Sequence, residues 1–213
     1  MGSFKTLKVE GFQPALQGMR LPLKSGERAD SHWVNDTFVI GPNDYGLAKR
    51  LIKAGTEHRK FLRMIQVWAE IQQPRYFFQE WDTYKIATVS NSESTMHKLL
   101  DEDLKYSDFD IPQFDRDDKY IEDIFKQYLK TLTIVKEKAC ASFGSERVYY
   151  HHLLKAMLPE SFKQKRVVSL NYETLNNMYH QRFKHRLPQW HTEFVSWIKT
   201  LPYNEFITGE FDE

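Results

Sequence analysis

The sequence predicts an α+β fold: one domain over residues 1–213, in which a mixed or antiparallel sheet is flanked by helices. Three observations predict it. Several short runs alternate apolar and polar residues, the mark of half-buried strands. Segments with helical spacing lie between those runs, so strands and helices interleave along the chain. No linker and no internal repeat divides the 213 residues, which suffice to bury a substantial core.

Phe4 to Phe12 (FKTLKVEGF) alternates as a strand, and so does His32 to Ile40 (HWVNDTFVI). Between them Gly18 to Asp30 is polar and rich in turn formers. Gly41-Pro42 is a turn, and Asn43 or Asp44 is a fitting N-cap for a helix through Leu47, Leu51 and Ile52, interrupted at Gly55. Thr56 can cap a second helix to Met64 that buries Phe61 and Leu62. Ile65 to Ile71 (IQVWAEI) alternates with period two, and Pro74 opens a helix from Arg75 to about Trp81.

Residues 82–98 read as a Ser/Thr/Asn-rich loop, and 99–116 as an acidic, irregular excursion. Tyr120, Ile124, Tyr128, Thr131 and Val135 mark a long amphipathic helix ending near Gly144. A helix from about Ser145 to Met157 stops before Pro159. Arg166 to Leu170 is a short strand, Tyr172 to about Arg186 a helix, and Pro188 opens a last helix to about Leu201.

Composition narrows the function classes. Apolar residues make up 41% and aromatics 15%, with 11 Tyr, 15 Phe and 5 Trp, which excludes a disordered chain. Thirty basic residues face 29 acidic ones, for a net charge of +1, so no broad nucleic-acid surface is expected. The single Cys140 leaves no intramolecular disulfide and no multi-cysteine zinc site. No apolar run approaches the roughly 20 residues of a membrane span, and no signal-peptide core is present. A cytoplasmic protein without a membrane partner is the expectation.

Chemistry concentrates in Ser169 to Arg182. On a helical wheel Asn171, Leu175, Met178 and Arg182 fall in one stripe, with Asn177 and Gln181 beside it one turn apart. Arg182 therefore lies over a partly buried surface, where a guanidinium can take a carbonyl edge or a phosphate bidentately. The same residues also suit a plain structural role, with Asn171 as an N-cap and Arg182 in an ion pair. His180, His185 and His191 do not share a helix face, so no metal site is expected. Cys140 has no matched base, and the 9 glycines form no phosphate loop.

The stretch also resembles flavin-dependent thymidylate synthases. Their C-terminal pattern runs A-R-x-x-L-P, then twelve residues ending in T-x-N, then x-R-x-L-x-x-N/H-x-x-x-x-R. Here Leu154-Lys155-Ala156-Met157-Leu158-Pro159 precedes Glu160 to Asn171, also twelve residues, and Asn171, Leu175, Asn177 and Arg182 follow in register. Gln189-Trp190 falls one residue later than the family's Gln-Trp. The resemblance implies that Asn171, Asn177 and Gln181 hold FAD, that Arg182 polarises the pyrimidine, and that Lys155 takes the place of a phosphate-binding arginine. Arg186, with His185 beside it, stands where the family has a flavin-facing histidine.

Towards the N-terminus, Gly55-Thr56-Glu57-His58 resembles the family's His/Glu/Thr helix start, which makes Thr56 and His58 candidate flavin contacts. The signature R-H-R-x-x-S-x-N-E-x-S-x-R-Y is altered. Ile86-Ala87-Thr88 fits its middle and Ser92-Glu93-Ser94 its E-x-S after one inserted residue, while Tyr84 and Lys85 replace the His-Arg of its flavin clamp and so become candidate flavin contacts. Met96 stands where an arginine contacts substrate phosphate. Gln79, Ser92, Glu93 and Ser94 then become candidate substrate contacts.

The resemblance thus implies a methyltransferase that turns deoxyuridylate into thymidylate with methylenetetrahydrofolate, FAD and NADPH, in a homotetramer with sites between subunits. Two other readings use the same scaffold: a flavoprotein acting on another pyrimidine nucleotide, and a non-catalytic nucleotide-binding or assembly protein.

Overall fold

The computed structural model describes residues 2–112 and 119–211, with the backbone alone at Met96 and His97. The expectations for Met96 and for 113–116 lie outside the described residues. The fold is α+β. A four-stranded sheet runs in the order β1 (Ser3–Glu10), β4 (Gln66–Pro74), β6 (Lys163–Asn171), β5 (Val89–Ser92). In β4 the alternation read from sequence is realised: Val67, Ala69 and Ile71 are fully buried, with half-buried residues between them. The strand ends at Pro74, and α3 (Arg75–Trp81) follows as expected.

Contacts divide the chain into two compact units. The first comprises Met1–Gly2, Gln72–Trp81 and Ser92–Arg166. Its core joins Leu99 and Phe109 to Leu132 and Val135 of α5 (Lys119–Ala141) and Leu154 of α6 (Gly144–Met157). The inward stripe of α5 is Leu132, Val135 and Ala139, whereas Tyr120 and Ile124, expected on it, are exposed. Residues 82–98, expected as a loop, contain β5 and the single turn α4 (Thr95–Lys98). All four residues of β5 are exposed, so no apolar alternation announces the strand.

The second unit comprises Ser3–Ile71, Asp82–Asn91 and Val167–Glu213. Several sequence expectations are corrected there. The polar stretch before Asp30 holds the end of a helix, α1 (Phe12–Arg20), which buries Phe12, Ala15, Leu16 and Met19 along one face. Gly11 precedes it at φ +99°, and a Cβ there would stand 2.2 Å from the Met64 carbonyl oxygen, so only glycine fits. The expected single strand at 32–40 is a hairpin: β2 (His32–Val34) and β3 (Thr37–Val39) pair antiparallel around Asn35-Asp36. Asn35, at φ +52°, supplies the left-handed turn residue such hairpins need.

Helix α2 (Pro42–Lys53) starts from Gly41, and Asp44 is a buried ion-pair partner instead of the cap. The helix expected from Thr56 is a 3-10 segment, Lys60–Met64, although Phe61 and Leu62 are buried as foreseen. α7 (Tyr172–Arg182) is followed by a π-type turn at Gln189–Phe194, α8 (Val195–Ile198) and α9 (Glu205–Thr208). These last segments grip earlier ones. Trp197 donates to Thr6 at 2.9 Å, the Ile40 N–H to the Tyr203 hydroxyl at 2.9 Å, and Asn176 to the Ile207 carbonyl at 2.7 Å. The Tyr172 hydroxyl donates to the Pro202 carbonyl. Burial pushes the pKa of that phenol well above the usual tyrosine value. Among the described residues no helix is long and apolar enough to cross a membrane.

Candidate active site

Helix α7 is organised from its first turn. Asn171 is its N-cap, its side-chain oxygen accepting from the Thr174 N–H at 2.9 Å. Leu175 and Met178 are fully buried, which presses that face of the helix against the core and carries Arg182 to its edge. Asn171 itself is buried and engaged as the cap. Its place in the sequence pattern thus has a structural cause independent of any ligand.

In the same first turn, Glu173 is buried and paired. Arg59 donates to it through Nε at 2.9 Å and through one Nη at 3.3 Å, a two-point contact with both side chains largely shielded from water. The same Nη donates to the Asn177 side-chain oxygen at 3.2 Å. Because a guanidinium can only donate, this bond fixes the orientation of the amide, whose NH2 group remains a donor on the exposed face.

At the end of the helix a second chain of bonds has its direction fixed in the same way. Arg182 Nε donates to the Tyr84 hydroxyl at 2.8 Å, so that hydroxyl donates its own proton to the Gln181 side-chain oxygen at 3.0 Å. The Arg182 guanidinium lies 5.0 Å from the centre of the Trp190 ring and 5.5 Å from that of Tyr84. Trp190 is fully buried and meets His185 edge-on. Thr174 donates to the Ile86 carbonyl at 3.2 Å and Thr88 to the Tyr84 carbonyl, which together anchor the segment that delivers Tyr84.

The second unit therefore brings Tyr84, Gln181 and Arg182 into one network and joins Asn177 to Arg59. It leaves Thr56, His58, Lys85 and Arg186 as exposed side chains outside those networks. In the first unit Glu93 and Ser94 line a pocket of about 600 Å³ with Lys98, Lys163 and Lys165, beside a run of acids from Asp101 to Asp103. Glu93 is held at the strand edge, its carboxylate accepting from the Lys165 N–H at 3.1 Å. Ser92 is exposed at the end of β5. Gln79 donates to Glu160 at 2.9 Å, an acid that also pairs with Arg75. Lys155 lies half-buried in the last turn of α6.

Arg59 is the residue that sequence reading missed. Its neighbour His58 drew attention through the Gly-Thr-Glu-His run, but the ion pair spans 114 positions and has no local signal. The acid at 173, just inside a helix mouth and surrounded by buried positions, was the available hint that a cation would come to meet it. No cluster of three or more metal-ligating side chains occurs among the described residues.

A family model described as thymidylate synthase complementing protein, Thy1, matches residues 14–197. Two crystal structures of thymidylate synthase X from Helicobacter pylori, both with FAD and dUMP, are similar to the chain throughout. One, at a TM-score of 0.70 and 18% identity, covers 98% of this chain and 98% of its own. The other, at 0.71 and 18% identity, covers 99% and 100%. At that identity the likeness is one of fold. No curated protein sequence matches the chain.

Proposed function

We infer, from the fact that this chain belongs to the thymidylate synthase complementing protein family, that it is a flavin-dependent enzyme methylating deoxyuridylate to thymidylate. Methylenetetrahydrofolate would supply the carbon and NADPH the hydride. The observation that carries this reading is Arg182, fixed by the Tyr84 hydroxyl at 2.8 Å and backed by the Trp190 ring.

The donor set around α7 fits a flavin dinucleotide. Asn177 and Gln181 have their carbonyl oxygens engaged by Arg59 and Tyr84, so two amide NH2 groups, one helical turn apart, remain for acceptors on the ribityl chain or the ring edge. Lys85 and Arg186, both exposed, supply cations for the pyrophosphate. Thr56 and His58 offer further contacts from the neighbouring loop, and Asn171 acts through the helix it caps. When bound, FAD supplies the hydride-transfer chemistry.

The residues of the chain do the rest by position and charge. Arg182 holds the pyrimidine carbonyl and stabilises negative charge as it develops on the ring, without reorganising, because Tyr84 and Trp190 already fix its plane. Glu93, Ser94 and the lysines of their pocket bind the sugar and phosphate of the nucleotide, with Gln79, Ser92 and Lys155 completing the contact. A homotetramer in the cytoplasm, with sites assembled between subunits, is part of the same reading.

The test is spectroscopic. Purified protein is reconstituted with FAD and titrated with deoxyuridylate, and the expected result is a yellow protein whose flavin band shifts on nucleotide addition. A preparation that takes up no FAD overturns the reading. A second reading, another pyrimidine nucleotide as substrate, is favoured by Tyr84 and Lys85, which replace the His-Arg of the family signature, Tyr84 binding Arg182 at 2.8 Å. A larger flavin shift with cytidylate than with deoxyuridylate would select it.

A further inference from the structure

Two pockets of the second unit share one residue, Arg20. Its side chain is only 5% exposed and donates through Nε to Asp44 at 2.5 Å and through Nη1 to the Ser25 carbonyl at 3.2 Å. Its second terminal nitrogen, Nη2, is buried with no hydrogen-bond partner. Asp44 is fully engaged elsewhere: its other oxygen accepts from the Ser31 hydroxyl at 2.5 Å and from the N–H groups of Ser31 and Asp30. Burial pushes the Asp44 carboxyl up, but those donors and Arg20 together outweigh it and hold it below the usual carboxylate value. A buried guanidinium with one donor unanswered is a costly arrangement for a purely structural residue.

The surroundings are those of an anion site. One pocket, of about 360 Å³, is lined by the guanidiniums of Arg20, Arg28 and Arg50 and by a single carboxylate, Glu27. Glu27 meets Arg28 at 3.6 Å with both side chains mostly in water, which leaves that pair weak. Among the described residues no hydrogen bond or ion pair engages the Arg50 side chain; its backbone carbonyl alone accepts, from the Ala54 N–H. Such planar, multi-donor groups match oxyanions, phosphate among them, through paired N–H donors.

The other pocket, of about 460 Å³, is lined by His32, Trp33 and Phe38 of the β2–β3 hairpin, with Gln13 and Lys24 also on its wall. The Trp33 indole is 56% exposed yet oriented, since its N–H donates to Gln13 at 3.1 Å and Phe38 meets it edge-on at 5.3 Å. A large aromatic held open to water in one orientation is a stacking surface.

We propose that Arg20, Arg28 and Arg50 bind the phosphate of a phosphorylated aromatic compound whose ring stacks on Trp33. This site is separate from the flavin and pyrimidine reading and uses none of its residues.

Isothermal titration of the full chain, first with inorganic phosphate and then with phenyl phosphate, tests it. The wild type is expected to bind both, phenyl phosphate about tenfold more tightly, a gain of the size one stacked ring gives. Arg50→Ala and Arg28→Ala, both at exposed positions, should each weaken phosphate about tenfold. Trp33→Ala should erase the advantage of phenyl phosphate alone. Arg182→Ala, which strikes the proposed nucleotide site, should change neither. The proposal is overturned by a wild type that binds no phosphate, by binding that survives both arginine changes, by a ring advantage that persists without Trp33, or by loss of binding in Arg182→Ala.

Discussion

Around Arg182 the polar groups are tied to one another in directed chains and backed by buried rings, with Trp190 fully shielded from water. Around Glu93 the polar groups are exposed or half-buried, and lysines and carboxylates face a pocket together. The two regions use similar side chains to different ends. Shielding makes the charges near α7 hard to replace, because each is sized to a partner in a low-dielectric setting. Water and salt screen the charges near Glu93, so they recognise a ligand only collectively.

Substitutions can break that contrast, beginning with the largest effect. Arg59→Ala leaves Glu173 buried without its cation and should cost about 3–5 kcal/mol in unfolding free energy. Denaturant titration measures it, and adding Glu173→Gln should restore much of the loss. Next comes Arg182→Ala, expected to lower kcat/KM for deoxyuridylate by about a hundred- to a thousandfold with little change in stability. Activity within tenfold of wild type would show that the guanidinium is not where charge develops.

Tyr84→Phe is milder. It removes the hydroxyl that links Arg182 to Gln181 and should cost about tenfold in kcat/KM, about the worth of one hydrogen bond to a charged group. On the other side of the comparison, Glu93→Gln should change stability by no more than about 0.5 kcal/mol. A much larger loss would mean that the pocket is as tightly organised as the face of α7.

The smallest effect is in pH. Burial, then the nearby Arg59 cation, hold the His180 imidazole below its usual value near 6.5, against the opposing pull of Glu210. The folded state thus binds this proton less readily than the unfolded chain. The stability linked to His180 is present above pH 6.5 and is lost as the pH falls through the lower folded value. The denaturant midpoint should drop slightly over that window, and the drop should vanish in His180→Asn.

What the sequence announced, and what it hid, follows the same division between local and distant causes. β4 was legible because Val67, Ala69 and Ile71 alternate against one buried face, and α7 because Asn171, Leu175 and Met178 keep helical register. The hairpin at 32–39 reads as one strand, although Asn35-Asp36 is a turn pair, because strand-forming residues (Trp33 and Val34, then Thr37 to Val39) flank it closely on both sides. α1 was obscured by Pro14 and Gly18, which tertiary burial of Leu16 and Met19 overrides. Of the site, Arg182 and its stripe were visible in spacing. The role of Tyr84 as a bridge and the approach of Arg59 depend on chain segments 98 and 114 positions away, for which no local pattern exists.

The bonds from residues beyond 195 back to Thr6, Ile40, Tyr172 and Asn176 set an order of events in synthesis. The helix that presents Arg182 has its polar backing supplied by Pro202 and Ile207, so it cannot be seated while those residues are still inside the ribosome. The Thr6 hydroxyl of the first strand likewise meets its Trp197 donor only near the end of translation. Closure over such separations is slow and leaves apolar surface uncovered in the meantime. The presentation of Arg182 is thus tied, through Tyr172 and Asn176, to chain that is made 30 and 31 residues after them.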